Sequence, residues 1–348
     1  MKTARIAGLV VLLLAFIAFP QIFPNPAVTT VAVFTLLYAT STVAWNIFSG
    51  FTGYIALGHA AYFGIGSYAM ALICQAIKIE GGYGPFLVVP LAGLVAAIFA
   101  VPLGWISLRT RKHTFVVITI AIFFITQLMA FNLRDITNGS TGLNLPIPVD
   151  WGGDFFNLPF YYVGLIMLIL AILVAWWIRN SKFGLGLLAI RDDEDRALGL
   201  GINTGQSKLI AFVLSAFFVG MVGAIHAYFI GSIFPAEAFD PLFDVIVALM
   251  AFLGGLGTLA GPLVGALILE PTQQYLTLQF SQNGYYLIIY GILFLGIILL
   301  LPEGIVPSLG KYWRKWKISR QHMKTELTVT ATQVLSGNSD GKNGAIKP

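Results

Sequence analysis

The sequence predicts an all-α integral membrane protein of about ten transmembrane or half-membrane helices, with both termini cytoplasmic. Three observations predict it: too little charge to cover a soluble surface, uncharged runs of membrane-crossing length, and basic residues gathered on alternate loops. Of 348 residues, 57% are hydrophobic and only 10% are Asp, Glu, Lys or Arg, with a mean hydropathy of +0.85. Soluble domains carry about 25% charged residues and about 45–50% apolar ones. That imbalance argues against an ordinary cytosolic enzyme, a nucleic-acid reader or a disordered chain. The single cysteine, Cys74, leaves no disulfide framework and no cysteine-built metal cluster.

The elements follow from where charge is missing. No Asp, Glu, Lys or Arg occurs over residues 6–77, and further uncharged runs cover 81–108, 113–133, 155–178, 209–235, 245–269 and 271–302. A helix needs about 20 apolar residues to cross a hydrocarbon core of about 30 Å. Backbone groups at that depth must be satisfied internally, which favours helices. The apolar/polar alternation of a membrane β-barrel is absent from stretches such as 163–177. Spans are therefore expected near 6–23, 28–48, 54–77, 86–108, 114–131, 158–178 and 208–231. The first follows Lys2 and Arg5 but lacks a small-residue cleavage site, so it reads as a span rather than a signal peptide.

Lys and Arg in short loops mark the cytoplasmic side. With the N-terminus inside, 18 of the 20 basic residues fall inside, including Arg109, Arg111, Lys112 and those over 179–208 and 311–347. Lys78 and Arg134 fall outside, with Glu80, Asp135, Asp150, Asp154, Glu237, Asp240 and Asp244. The net charge of +5 is thereby explained by topology, in contact with a lipid bilayer and not with nucleic acid. Parity then requires a break between 242 and 270, because the chain must finish inside after a crossing over 285–301. Gly254, Gly255 and Gly257, followed by Gly261-Pro262, supply it. Two short or half helices are expected to meet there. Residues 1–310 read as one membrane domain and 311–348 as a basic, then disordered, cytoplasmic tail.

Two Gly-rich stretches, 50–68 and 254–265, stand out from the apolar background. Small residues let helices approach closely in lipid, and interrupted helices accompany transport pathways. Asn46 and His59 are polar groups inside the same uncharged run, where such groups face a bundle interior or cavity. Each, like His226, is equally readable as a hydrogen-bonding partner of a neighbouring helix. Glu270 and Glu303 lie at segment ends, so no carboxylate chain for proton coupling is expected. No P-loop, H-x-x-x-H pair or G-x-S-x-G elbow occurs. No catalytic residue, metal site or cofactor is expected, and active transport would draw its energy from an ion gradient or another subunit.

Residues 179–208 form the longest charged stretch on the inner side. Leu187, Leu188, Ile190, Ala197 and Leu198 edge a charged centre, with Arg191/Asp195 and Asp192/Arg196 at i, i+4. Gly199 or Gly201 can stop that helix. A short helix of this kind suits docking on a soluble partner beneath the membrane.

Four blocks in order give the sequence a specific resemblance: residues 50–68, 137–143 (T-N-G-S-T-G-L), 181–203, and 208–223 with 254–265 (G-G-x-G-T-x-x-G-P). It resembles the permease subunits of branched-chain amino acid ABC importers, the LivM-type half, over roughly residues 30–305. Tyr62 stands where the family commonly has Phe, and Asp195-Arg196 replaces a small apolar pair. The resemblance implies an inner-membrane permease paired with a related permease subunit, two cytoplasmic ATP-binding subunits and an extracytoplasmic solute-binding protein. It carries an ATPase-coupling role onto Arg191, Asp193, Glu194, Ala197 and Gly201. It places Asn46, Gly53, Gly58 and His59 near the substrate pathway. The cargo it implies is Leu, Ile and Val, with urea or short amides carried by related permeases. A self-sufficient ion-coupled carrier is the competing class, disfavoured by the absence of intramembrane carboxylates.

Overall fold

The computed structural model describes residues 2–148, 151, 156–280 and 303–312, with isolated positions between 288 and 299. The crossing expected over 285–301, apart from those positions, the tail beyond 312, and Asp150 and Asp154 lie outside the described residues.

Helix α1 (Lys2–Ile22) leads into α2 (Pro26–Trp45), which Asn25 starts by accepting a hydrogen bond from the Ala27 N–H at 2.9 Å, with Pro26 at the first helical position. One π-helical turn, Asn46–Gly50, ends it. The chain is then irregular until α3 (His59–Ile77), so the span expected to begin at 54 starts five residues later. Gly53, with a φ of +73°, is left-handed backbone and closes the preceding helical stretch. Next come α4 (Val89–Ser107), α5 (Lys112–Asn132), the single turn α6 (Arg134–Thr137) and α7 (Asn157–Arg179). Two short helices, α8 (Lys182–Asp192) and α9 (Glu194–Gly199), precede α10 (Thr204–Ile230). A turn, α11 (Pro235–Ala238), leads to α12 (Pro241–Gly254) and α13 (Gly261–Phe280). Two two-residue strands, β1 (Leu143–Asn144) and β2 (Ser232–Ile233), pair antiparallel at the end of the bundle remote from α8.

Six helical segments among the described residues are long and apolar enough to cross a membrane: Pro26–Gly50, His59–Ile77, Gly84–Ser107, Lys112–Asn132, Asn157–Arg179 and Thr204–Ile230. The bundle is organised around α10, which packs against α3 and α4. Glycines permit this closeness. A Cβ on Gly66 would strike the Gly220 carbonyl, and one on Gly223 would strike the Phe63 carbonyl. Lipid gives helices no hydrophobic reason to associate, so this backbone-to-backbone approach supplies the dispersion contacts that hold them. Outward faces of α4 and α5, including Leu94, Ile98, Val117 and Phe124, remain exposed.

The interruption in 242–270 falls where two short or half helices are expected to meet: α12 (14 residues, about 21 Å) ends at Gly254 and the longer α13 (20 residues, about 30 Å) starts at Gly261 and packs back on it. Neither is among the six membrane-capable segments. The Gly-rich turn is consequently the tip of a hairpin, and it lies at the α8–α9 end of the bundle, where Arg179 and Arg191 reach it.

Candidate functional site

Helices α8 and α9 are separate because residue 193 takes an extended conformation, φ −159° and ψ 111°. The Ser181 hydroxyl accepts from the Gly184 N–H at 3.1 Å to start α8. The Asp193 carboxylate accepts from the Asp195 and Arg196 N–H groups, each at 3.1 Å, to start α9. The Arg196 N–H, first, and that of Asp195 hold the Asp193 carboxyl below its ordinary value, helped by the Arg196 charge. Gly201 closes the segment at φ +84°.

This break undoes both i, i+4 pairs expected on a continuous helix. Arg196 pairs instead with Asp193 at 3.1 Å, and Asp195 pairs with Arg111 through two hydrogen bonds of 2.8 and 3.1 Å. Arg191 turns into the bundle, where its Nη1 donates to the Gly50 carbonyl at 2.9 Å.

Arg191 occupies a slot between two glycines. A Cβ on Gly53 would meet its Cγ at 3.0 Å, and one on Gly257 would overlap the guanidinium. Arg179 donates to the Gly257 carbonyl from the same side. Asn46 completes the node: its Nδ2 donates to the Thr258 carbonyl at 2.9 Å and its Oδ1 accepts from the Gly257 N–H at 2.8 Å. Three segments far apart in sequence therefore meet at one point: the π-turn after α2, the end of α8 and the α12–α13 turn.

A second cluster lies beside it. Lys208, 3% exposed, donates to Glu194 Oε1 at 2.5 Å and to the Tyr54 hydroxyl at 3.3 Å, and sits 4.4 Å from the centre of the Tyr54 ring. The Tyr54 hydroxyl donates to the other Glu194 oxygen. Burial pushes the Glu194 carboxyl up, but the hydrogen bonds from Lys208 and Tyr54 and the Lys208 charge outweigh it and leave it below its usual value. The sequence marks Glu194 but gives Tyr54 and Lys208 no role. The available signal was a lysine within the first turns of a 27-residue apolar helix.

Of the coupling residues, Ala197 is buried, Glu194 is largely covered and Arg191 is half-buried, so all three serve the inside of the segment. Its exposed surface is formed by Leu185, Leu198 and Leu200 with Lys182, Asp192, Asp195 and Arg196. Of the four residues assigned to a pathway, Asn46 and Gly53 belong to the node. Gly58 packs on the Thr119 carbonyl. His59 is wholly buried, with Nε2 2.8 Å from the Ser215 hydroxyl. None of the four lines the apolar cavity of about 590 Å³ between α1, α2, α7 and α13.

Two carboxylates correct the expectations directly. Asp244 is expected outside, yet it is buried, and its oxygens accept from the His59 and Ala60 N–H groups at 2.9 and 3.1 Å. It caps α3 from another helix, the position where a negative charge best complements exposed N–H groups. Glu270 is expected at a segment end but lies in the middle of α13, 1% exposed. The described residues thus include buried carboxylates that the uncharged-run reading had excluded.

The model of the family described as branched-chain amino acid transport system / permease component matches residues 27–298. The chain belongs to that family. Among its relatives, the high-affinity branched-chain amino acid transport system permease protein LivM of Escherichia coli is 27% identical, covering 86% of this chain and 74% of LivM. LivH of Salmonella typhimurium, a permease protein of the same kind of system, is 25% identical over 77% of this chain and 91% of its own length. A probable ABC transporter permease of Escherichia coli, YphD, is 30% identical over 61% and 70%. No solved structure matches. As a member of this family with six membrane-capable helices among the described residues, the chain is a multi-pass inner-membrane ABC permease.

Proposed function

We propose that this permease forms half of the translocation pathway of an ATP-driven importer for branched-chain or related hydrophobic amino acids. Its partners in this reading are a related permease subunit, two cytoplasmic ATPases and an extracytoplasmic solute-binding protein. Residues 1–310 form the membrane unit, and α8–α9 is the cytoplasmic segment on which an ATPase docks. The observation that carries the reading is the Arg191 node: Arg191 of α8 bonds to Gly50 in the π-turn after α2 and packs against Gly257 in the α12–α13 turn. A push on the exposed face of α8–α9 would be delivered by Arg191 to two helix interruptions at once. Backbone breaks are where helices re-angle at least cost, so the node suits a rigid-body change of access between the two sides.

The named relatives, LivM and LivH, supply the substrate class. The test is uptake of radiolabelled leucine by the complete transporter in proteoliposomes, with ATP on the ATPase side. Wild type should accumulate leucine, and Arg191→Ala should lower uptake at least about tenfold, the loss expected from one charged hydrogen bond, while still assembling with its partners. Unchanged uptake in Arg191→Ala would remove the coupling role.

A further inference from the structure

Helix α13 carries acceptors that no described residue satisfies. Glu270 is 1% exposed; its Oε1 accepts from Gln274 Nε2 at 2.9 Å, but its buried Oε2 has no partner. The Gln273 Oε1 is also buried without a partner. Pro271 lacks an N–H, so the Leu267 carbonyl loses its α-helical donor. Residues 267, 270, 271, 273 and 274 share adjoining positions on the helix surface. Two buried side-chain acceptors without a partner, one of them on a carboxylate, and a carbonyl that lacks its usual helical N–H are thus gathered on one stretch of α13. A buried carboxylate oxygen left without a donor is costly to keep, and ionisable residues buried within membrane proteins mark functional paths.

We infer that Glu270, Gln273 and the Leu267 carbonyl form a binding site for the primary ammonium group of the transported amino acid. An ammonium offers three N–H donors and a positive charge, matching three acceptors and one carboxylate. The neighbouring face of α13, Leu267, Pro271 and Tyr275, lines the apolar cavity of about 590 Å³ together with Thr35, Leu36 and Tyr161, room for a branched apolar body. The site is shut in this conformation. Its helix follows the Gly-rich turn, where Gly257 lies against the Arg191 guanidinium of α8 and bonds to Asn46, so a movement of α8–α9 reaches the element that carries Glu270. This inference rests on the importer reading and supplies its substrate contact.

The test uses the complete purified transporter, without binding protein, and follows its melting temperature with three probes: leucine, 3-methylbutylamine (ammonium without carboxylate) and 4-methylpentanoate (carboxylate without ammonium). Leucine and the amine should raise the melting temperature of wild type and leave Glu270→Gln unmoved, while 4-methylpentanoate does neither. In proteoliposomes, Glu270→Gln should lower leucine uptake about tenfold or more; Glu270→Asp should recover part of it. Equal responses of Glu270→Gln and wild type overturn the site. So does stabilisation by 4-methylpentanoate or sodium chloride equal to that by leucine, or no shift with any probe. Failure of wild type to accumulate leucine with ATP would instead count against the importer reading, which the melting shifts do not test.

Discussion

Lys208 illustrates how a single side chain acquires a role from its surroundings. Its ammonium is taken out of water and matched by the Glu194 carboxylate and the Tyr54 ring and hydroxyl. Removing one member of a buried pair leaves the other charge uncompensated, which costs about 3–5 kcal/mol. Lys208→Ala is therefore expected to destabilise the protein more than Lys208→Ala/Glu194→Gln, which removes both charges. Thermal denaturation of the two variants checks this, and equal losses would show that the charges do not interact. The pH dependence follows from the sign of the Glu194 shift. Its folded value is depressed, so its stabilisation is complete above the ordinary carboxylate range, near pH 4.3, and disappears as pH falls through the lower folded value. Acid titration of the melting temperature should show a loss below that range in wild type that Glu194→Gln lacks. The Arg111–Asp195 pair is 67% and 71% exposed, so breaking it should leave stability nearly unchanged despite good geometry.

Among helices, two devices decide the packing. The first is the glycine contact of α3 with α10. Gly66→Val would place side-chain atoms where the Gly220 backbone now lies, so the two helices must separate along their length. The expected result is loss of folded protein in detergent, read by size-exclusion chromatography, whereas Gly199→Ala, at a position with open space, should behave as wild type. The second is the Asp244 cap on α3. Asp244→Asn keeps an acceptor oxygen and should lose less stability than Asp244→Ala, for which capping losses of about 0.5–2 kcal/mol set the scale.

For the molecule as a whole, the proposed coupling through α8–α9 and Arg191 requires that energy come from the partner ATPases. Purified chain alone in vesicles with a sodium or proton gradient should not concentrate leucine, while the same chain with its permease and ATPase partners and ATP should. Uphill uptake by the isolated chain would reverse the assignment to the importer class. Asp244 and Glu270 remove the original reason for disfavouring an ion-coupled carrier, so the family match and the node now carry that weight.

The membrane character, the approximate helix positions, the break near Gly254 and the charged segment over 179–208 were legible in the amino-acid order. They depend on local quantities: the length of uncharged runs, loop charge and the helix-ending properties of glycine. Several pairings were not legible. Arg191 with Gly50, Asn46 with Gly257, Lys208 with Glu194 and Tyr54, and Asp244 with the start of α3 join residues that, Lys208 and Glu194 apart, lie more than a hundred positions from one another. A carboxylate's meaning in such a chain is set by what surrounds it in space. Hydropathy can count a lone Asp as a loop residue or a helix residue, but only the folded arrangement shows whether two N–H groups of another helix are waiting for it.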